Sequence, residues 1–220
     1  KFNDKRVVVC YHGVNQGVGG AVVTGYKKAL ELDSDIVVKV DGDGQMDPRY
    51  MQKLIHPISE GRADYAKGNR FADFKALRKM PKIRLLGNSG LSFLVKAASG
   101  YWNLMDPTNG YTAINKHVLG ELDLDNLAKR YFFESDMLIN LNIENAVVVD
   151  VHIPAKYGDE ESSLSIGRTL FGFPPKLLKG LLKRVFLKYF VYDFNMFSIY
   201  LIFGLPMVLF GVIWGSVNWI

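Results

Sequence analysis

The chain has 220 residues, 49% of them hydrophobic, and its 27 Lys and Arg against 22 Asp and Glu give a formal charge of +5. A single cysteine, Cys10, excludes an intrachain disulfide framework. Residues 1–166 carry equal numbers of acidic and basic side chains, so the whole excess lies downstream, which disfavours nucleic acid as the partner.

The first predicted element is a strand, Val7-Val8-Val9-Cys10-Tyr11. A Gly-rich turn follows at residues 15–20, and residues 21–30 have helical composition. Such a turn either offers backbone N–H groups to an anion at a helix N-terminus or is only a tight βα connection. It has neither the GxGxxG spacing of a dinucleotide fold nor the Lys-Ser/Thr of a P-loop. Residues 36–40, Ile-Val-Val-Lys-Val, predict a second, buried strand.

Directly after it comes Asp41-Gly-Asp43-Gly-Gln45. Extended residues i, i+2 and i+4 point to one side, so these three side chains are expected to converge. Two carboxylates and a carboxamide suit a hard cation, Mg²⁺ or Mn²⁺, which keeps room for water and a substrate phosphate. An ordinary acidic turn is the plainer alternative. An EF-hand is excluded, because its sixth position would be Met46 in place of Gly and its twelfth Gln52 in place of Glu. Asp47-Pro48 is a helix-start signal. Strand, acidic turn and helix thus put the candidate ligands at the carboxyl end of a strand, where open α/β sheets bind ligands.

Farther along, Glu134 and Asp136 either face the site or cap a helix over residues 137–141. His12, His56, His117 and His152 lack metal-ligand spacing. The polar residues 157–166 read as a linker or as a cover that closes on substrates. Leu177, Leu178, Leu181, Leu182, Val185, Phe186 and Phe190 recur at helical spacing with lysines between them, the pattern of a membrane-surface helix. Anionic lipid attracts each such cation by about 1 kcal/mol. No charge follows Asp193, and residues 194–220 exceed the roughly 20 residues of a bilayer-crossing helix, with Pro206 a candidate kink and Trp214 and Trp219 suited to an interface. A buried core helix is the alternative; a secretory signal is excluded by position. The expected organisation is a catalytic region at 1–166, basic amphipathic helices at 167–193 and a transmembrane segment at 194–220. The positive-inside rule then puts the catalytic region on the cytoplasmic side of the membrane.

Several motifs, taken in order, carry a resemblance. They are Asn15-x-Gly17-x-Gly19-Gly20-Ala21-x-x-x-Gly25, Asp41-x-Asp43-x-Gln45-x-Asp47-Pro48, Gly68-Asn69-Arg70-Phe71, Arg84-x-x-Gly87-Asn88, Asp106-Pro107-Thr108-Asn109-Gly110-Tyr111, and Ile153-Pro154-Ala155-Lys156-Tyr157-Gly158 before Ser162-Ser163. Together they resemble glycosyltransferase family 2, and within it the polyprenyl-phosphate branch of the dolichol-phosphate-mannose synthase type. The similarity covers about residues 7–166, and the ordered series is far more specific than any single motif.

The resemblance implies an α/β fold of GT-A-like, Rossmann-related type, with a mostly parallel sheet flanked by helices. It implies metal-dependent transfer of a sugar, with inversion, from a UDP- or GDP-linked donor to a dolichyl or undecaprenyl phosphate at a membrane. Asp41, Asp43 and Gln45 are then the cation ligands, and Arg70 and Arg84 hold the acceptor phosphate. Asn15, Gly19, Asn88, Asp106, Thr108, Asn109 and Gly110 are substrate-binding. Family members begin with two further strands, one ending in a Pro-x-Tyr-Asn type motif and one in paired aspartates, that bind base and ribose. Neither occurs here, so the chain is expected to be N-terminally truncated, with an uncovered sheet edge, and inactive as given. A processive polysaccharide synthase is the rival enzyme, although its Gln/Arg-x-x-Arg-Trp run is missing. A non-catalytic, membrane-tethered nucleotide-sugar-binding fragment is the rival from another class. The sugar, the base and the oligomeric state, a homo-oligomer included, stay open.

Overall fold

The computed structural model describes residues 4–70, 82–154 and 166–219, and the side chains of these except at 82–89 and 166–171. Four strands form one sheet: β1 (Ile36–Lys39), β2 (Tyr65–Asn69), β3 (Thr112–Asn115) and β4 (Val148–His152), in the order β1-β3-β2-β4. β3 runs antiparallel to both neighbours, with Val38 opposite Ala113 and Ala66 opposite the same residue. β2 and β4 pair in parallel, Lys67 opposite Asp150. Three of the four strands therefore share one direction, as the expected mostly parallel sheet requires, although β3 makes two of the three pairings antiparallel.

The helices are α1 (Gly17–Glu31), α2 (Met51–Ser59), α3 (Lys82–Ser99), α4 (Lys116–Glu121), α5 (Phe133–Ile143), α6 (Ile166–Phe186), α7 (Met196–Ile199) and α8 (Leu205–Asn218). Alternation along the strands sorts their side chains between two cores. Tyr65 and Ile114 face the larger one, with α1, α3, α5 and α6. Ala66 and Ala113 face a smaller one, closed by Leu54 and Ile58 of α2. α5 buries Phe133, Met137, Leu138, Ile139 and Leu141, as a helix apolar on nearly all sides must.

The predicted strand at residues 7–11 does not form. Val7, Val8, Val9 and Tyr11 are exposed, and among the described residues no strand pairs with them. A strand exists through its ladder, and an apolar run without a partner has no such bonds to make.

α6 is amphipathic as expected, but its two faces divide the labour differently. Leu177, Gly180 and Arg184 are buried against α3 and α5, and a Cβ on Gly180 would collide with Ile139. Arg184 donates from Nε to Ala98 O (2.8 Å) and from Nη2 to Ala97 O (3.2 Å), closing the carboxyl end of α3 where Gly100 has φ +82°. Lys183 and Lys188 are engaged as well, with Asn140 Oδ1 at 2.7 Å and Asn142 O at 2.9 Å. Part of the basic excess is therefore internal architecture. Leu178, Leu182 and Phe186 form an exposed stripe on roughly the opposite side of the helix.

Beyond Asp193, residues Met196–Asn218 form one helix long and apolar enough to cross a membrane, and only 6% of its most apolar window is buried. Its residues Tyr200–Gly204 adopt π geometry just before Pro206, whose missing N–H cannot serve the carbonyl one α-turn back.

Candidate active site

The acidic turn curls and does not continue the strand. β1 ends at Lys39, the Gln45 N–H donates to Asp43 Oδ1 (3.0 Å), and Gly44 sits at φ +74°. The expected one-sided alternation of Asp41, Asp43 and Gln45 therefore does not apply, because it assumed extended backbone. Asp41 is half-buried, Asp43 and Gln45 are exposed, and the turn borders an open hollow of about 520 Å³ lined by Val40, Asp41, Gly44, Met46 and Asp47. Asp47 begins the next helical segment as the sequence indicates, its Oδ1 accepting the Arg49 N–H at 3.0 Å.

The loop at residues 106–110 joins this turn to Arg70. At one end, a Cβ on Gly110 would stand 2.6 Å from Lys39 Nζ and 3.0 Å from Asp41 Oδ2, so the two segments meet closely there and a side chain would displace one of those groups. At the other end, Asp106 is wholly buried and accepts from Arg70 Nε (2.8 Å) and Nη2 (3.3 Å), a forked pairing. Thr108 Oγ1 adds a donor to Asp106 Oδ1 at 3.3 Å. Asn109 is structural: its Nδ2 donates to Gly68 O (2.7 Å) and its Oδ1 accepts the Tyr111 N–H (3.0 Å).

Next to Arg70, Asp150 Oδ2 accepts from Met105 N (2.6 Å) and Asn69 Nδ2 (3.1 Å). Its Oδ1 is buried without a hydrogen-bond partner among the described residues. Burial holds the Asp150 pKa above the ordinary carboxylate value, against the pull of the Met105 N–H.

Of the other expected site residues, some make local contacts and some fall outside the described side chains. Asn15 Oδ1 accepts the Gly17 N–H (2.8 Å), and Gly19 is glycine because a Cβ would collide with Ala128 O, so both have packing reasons. Arg84 and Asn88 belong to α3, but their side chains are outside the described residues, as are residues 155–165. Of the two acids on α5, Glu134 faces the site. Asp136 accepts the Ala128 N–H at 2.8 Å instead, and burial raises its pKa against that bond.

Two residues to which sequence reasoning gives no role stand beneath the site. Lys39 and Lys67 are buried lysines in β1 and β2, and both reach Glu134, Lys39 at 3.2 Å and Lys67 at 3.4 Å. Lys39 also binds Asp41 Oδ1 (2.9 Å) and Gly110 O (3.0 Å), and Lys67 donates to Asn109 O. Burial depresses the Lys67 pKa, with Glu134 and Asp106 acting in opposition. At Lys39 burial acts the same way, but Glu134 and Asp41 outweigh it and leave the pKa raised. The available signal is Lys39 inside the apolar run at residues 36–40; Lys67 has no such setting.

Among the described residues, no three His, Cys, Asp or Glu side chains cluster as a self-sufficient metal site. The turn fits a different arrangement: oxygen-only donors on an open surface, beside room for oxygens from a substrate, suit a hard cation that is not fully caged by protein.

Residues 1–123 match the family described as Glycosyl transferase family 2. The chain belongs to that family. It is 37% identical over 169 residues to a UDP-N-acetylglucosamine--dolichyl-phosphate N-acetylglucosaminyltransferase of Methanococcus voltae, covering 76% of this chain and 66% of that one. An uncharacterized protein of Methanocaldococcus jannaschii is 32% identical, over 82% of this chain and 73% of its own length. An undecaprenyl-phosphate mannosyltransferase of Micrococcus luteus is 29% identical, over 68% and 61% respectively. The chain thus spans between 61% and 73% of these relatives. In this family member, the loop at residues 106–110 is the element that brings an acidic turn and an arginine into one site.

Proposed function

We propose that the protein transfers a single sugar from a nucleotide diphosphate donor to a polyprenyl phosphate at a membrane surface. The observation that carries this reading is the loop at residues 106–110, which touches Asp41 at one end and holds Arg70 at the other. An anionic donor and an anionic acceptor must approach each other, and opposite charges on the two sides of one loop offset their repulsion. The names of the Methanococcus and Micrococcus relatives support the acceptor class.

A polyprenyl phosphate is already an oxyanion at neutral pH, so no side chain has to remove a proton from it. Arg70, held by Asp106 and partly exposed, presents its guanidinium to that phosphate; Arg84 is assigned the same task by resemblance. In-line attack on the anomeric carbon inverts it. Asp41, Asp43 and Gln45 are the residues that would hold Mg²⁺ or Mn²⁺. Such an ion, when bound, neutralises charge developing on the departing nucleotide diphosphate. Asn109 and Gly110 set the backbone against which the sugar lies.

The exposed Leu178, Leu182 and Phe186 stripe and the helix Met196–Asn218 support a bilayer as the setting. The excess of Lys and Arg before that helix supports a cytoplasmic catalytic face. The test supplies the full-length protein with labelled UDP- and GDP-sugars, polyprenyl phosphate and Mn²⁺. Formation of a lipid-linked monosaccharide is expected; polymer, or transfer only to a hydroxyl acceptor, would reject the proposal.

A further inference from the structure

The transfer chemistry above uses neither Lys39 nor Lys67, yet both ammonium groups are buried in the sheet directly under the site. A buried charge is retained only where it is paired and hydrogen-bonded. Here the pairing is complete. Lys39 Nζ has three donors and three acceptors around it: Asp41 Oδ1 at 2.9 Å, Gly110 O at 3.0 Å and Glu134 Oε1 at 3.2 Å. Glu134 turns its other oxygen to Lys67 at 3.4 Å, and Lys67 also takes Asn109 O. Two lysines, Glu134 and Asp41 sum to zero charge, and they tie β1, β2, the amino end of α5 and the donor-side loop into one unit.

We propose that Lys39, braced by Lys67 through Glu134, is a positioning residue that holds and neutralises the Asp41 carboxylate, so that the turn binds a divalent cation weakly by itself and more tightly together with a diphosphate. This rests on the reading of Asp41 and Asp43 as cation ligands. With Asp41 already matched by an ammonium, the turn presents one uncompensated carboxylate, that of Asp43. A hard divalent ion needs six or more oxygens and more negative charge than this, and the oxygens of a nucleotide diphosphate supply both. The same lysine binds the Gly110 carbonyl, and a Cβ on Gly110 would press on its ammonium group. Asp41 and the loop beside the donor sugar are therefore set by one cation.

Lys39→Met keeps the length of the side chain and leaves Glu134 paired with Lys67, so it strands no buried charge while unmasking Asp41. Mn²⁺ titrated into the full-length protein without nucleotide, with free Mn²⁺ read by electron paramagnetic resonance, is expected to bind Lys39→Met at least about fivefold more tightly than the wild type. That is the scale of one unit charge a few ångströms away, screened as in bulk water. Lys39→Arg, which keeps the charge, is expected to return the affinity to the wild-type value. Glu134→Gln shifts the balance the other way and is expected to weaken Mn²⁺ binding. Unchanged or weaker Mn²⁺ binding by a cooperatively melting Lys39→Met overturns the proposal, as does an unweakened Glu134→Gln should Lys39→Met not fold. Asp43→Asn separates the two levels of the argument. If it removes Mn²⁺ binding while Lys39→Met changes nothing, only the role of Lys39 is lost. If it binds Mn²⁺ like the wild type, the cation reading of the turn fails with it.

Discussion

The turn after β1 and Arg70 after β2 end two strands of the same sheet with opposite charges, and the groups beside them differ in exposure. Asp43 and Gln45 stand in solvent beside a hollow, whereas Asp106, which governs Arg70, is wholly buried. Yet each side carries a resident counter-ion, Lys39 for Asp41 and Asp106 for Arg70. A site proposed to gather two anions and a cation is thus nearly neutral before they arrive, so its charged groups are fixed in place without large self-repulsion. The difference lies in how far each side is compensated. On the acidic side Asp43 has no cationic partner among the described residues. On the basic side the guanidinium is forked to a carboxylate, with 39% of the side chain exposed.

The largest expected effect tests the acidic side. Asp43→Asn keeps the side-chain oxygen that accepts the Gln45 N–H and removes only the charge. Turnover of lipid-linked sugar is expected to fall on the order of 100-fold or more, the usual scale for removing a group that stabilises developing charge. The thermal midpoint should hardly move, because the residue is exposed. A rate near that of the wild type would mean that the free carboxylate of the comparison is not the functional one.

The next effect tests the basic side. In Asp106→Asn one oxygen still accepts, but the amide NH₂ then faces a guanidinium N–H, and Arg70 is no longer held by a charged fork. The KM for polyprenyl phosphate is expected to rise about tenfold with a smaller change in kcat, as loss of orientation predicts. A lower KM would reverse the comparison: Asp106 would then compete with the acceptor phosphate for Arg70.

Much of this geometry is legible in the sequence, and the exceptions share a cause. The strand at residues 36–40, the turn after it and the helix start at Asp47-Pro48 depend on local patterns, and they form where the pattern puts them, with β1 ending one residue early at Lys39. Residues 7–11 have an equally apolar pattern and form no strand, because pairing depends on a neighbour that local sequence does not specify. The antiparallel β3 is only four residues long and follows directly on the motif at 106–111, so periodicity has little to act on. Nothing in the sequence marks Lys39 and Lys67 as buried, since lysine is almost never fully buried. Their burial follows from the order β1-β3-β2, which closes both under α5, and Glu134 becomes their partner only in that arrangement. Likewise α6 reads as one amphipathic surface, and only its packing on α3 and α5 separates Arg184, a helix-end anchor, from the exposed Leu178, Leu182 and Phe186.

The smallest expected effect asks how far the resident counter-ion of Arg70 is itself held. Thr108 is exposed and donates to Asp106 Oδ1 at 3.3 Å, a long bond to an oxygen that Arg70 Nη2 already approaches at the same distance. Thr108→Val preserves the shape and deletes the donor. A hydrogen bond to a charged acceptor contributes about 1.5–3 kcal/mol when short and buried; at this length and exposure less than about 1 kcal/mol is expected, or a rise in acceptor KM of no more than about fivefold. Because Asp106 keeps both contacts to Arg70, kcat should not change. A loss as large as that of Asp106→Asn would make Thr108 part of the clamp, and the basic side would then be fixed by the loop as a whole, as Lys39 and Gly110 fix the acidic side.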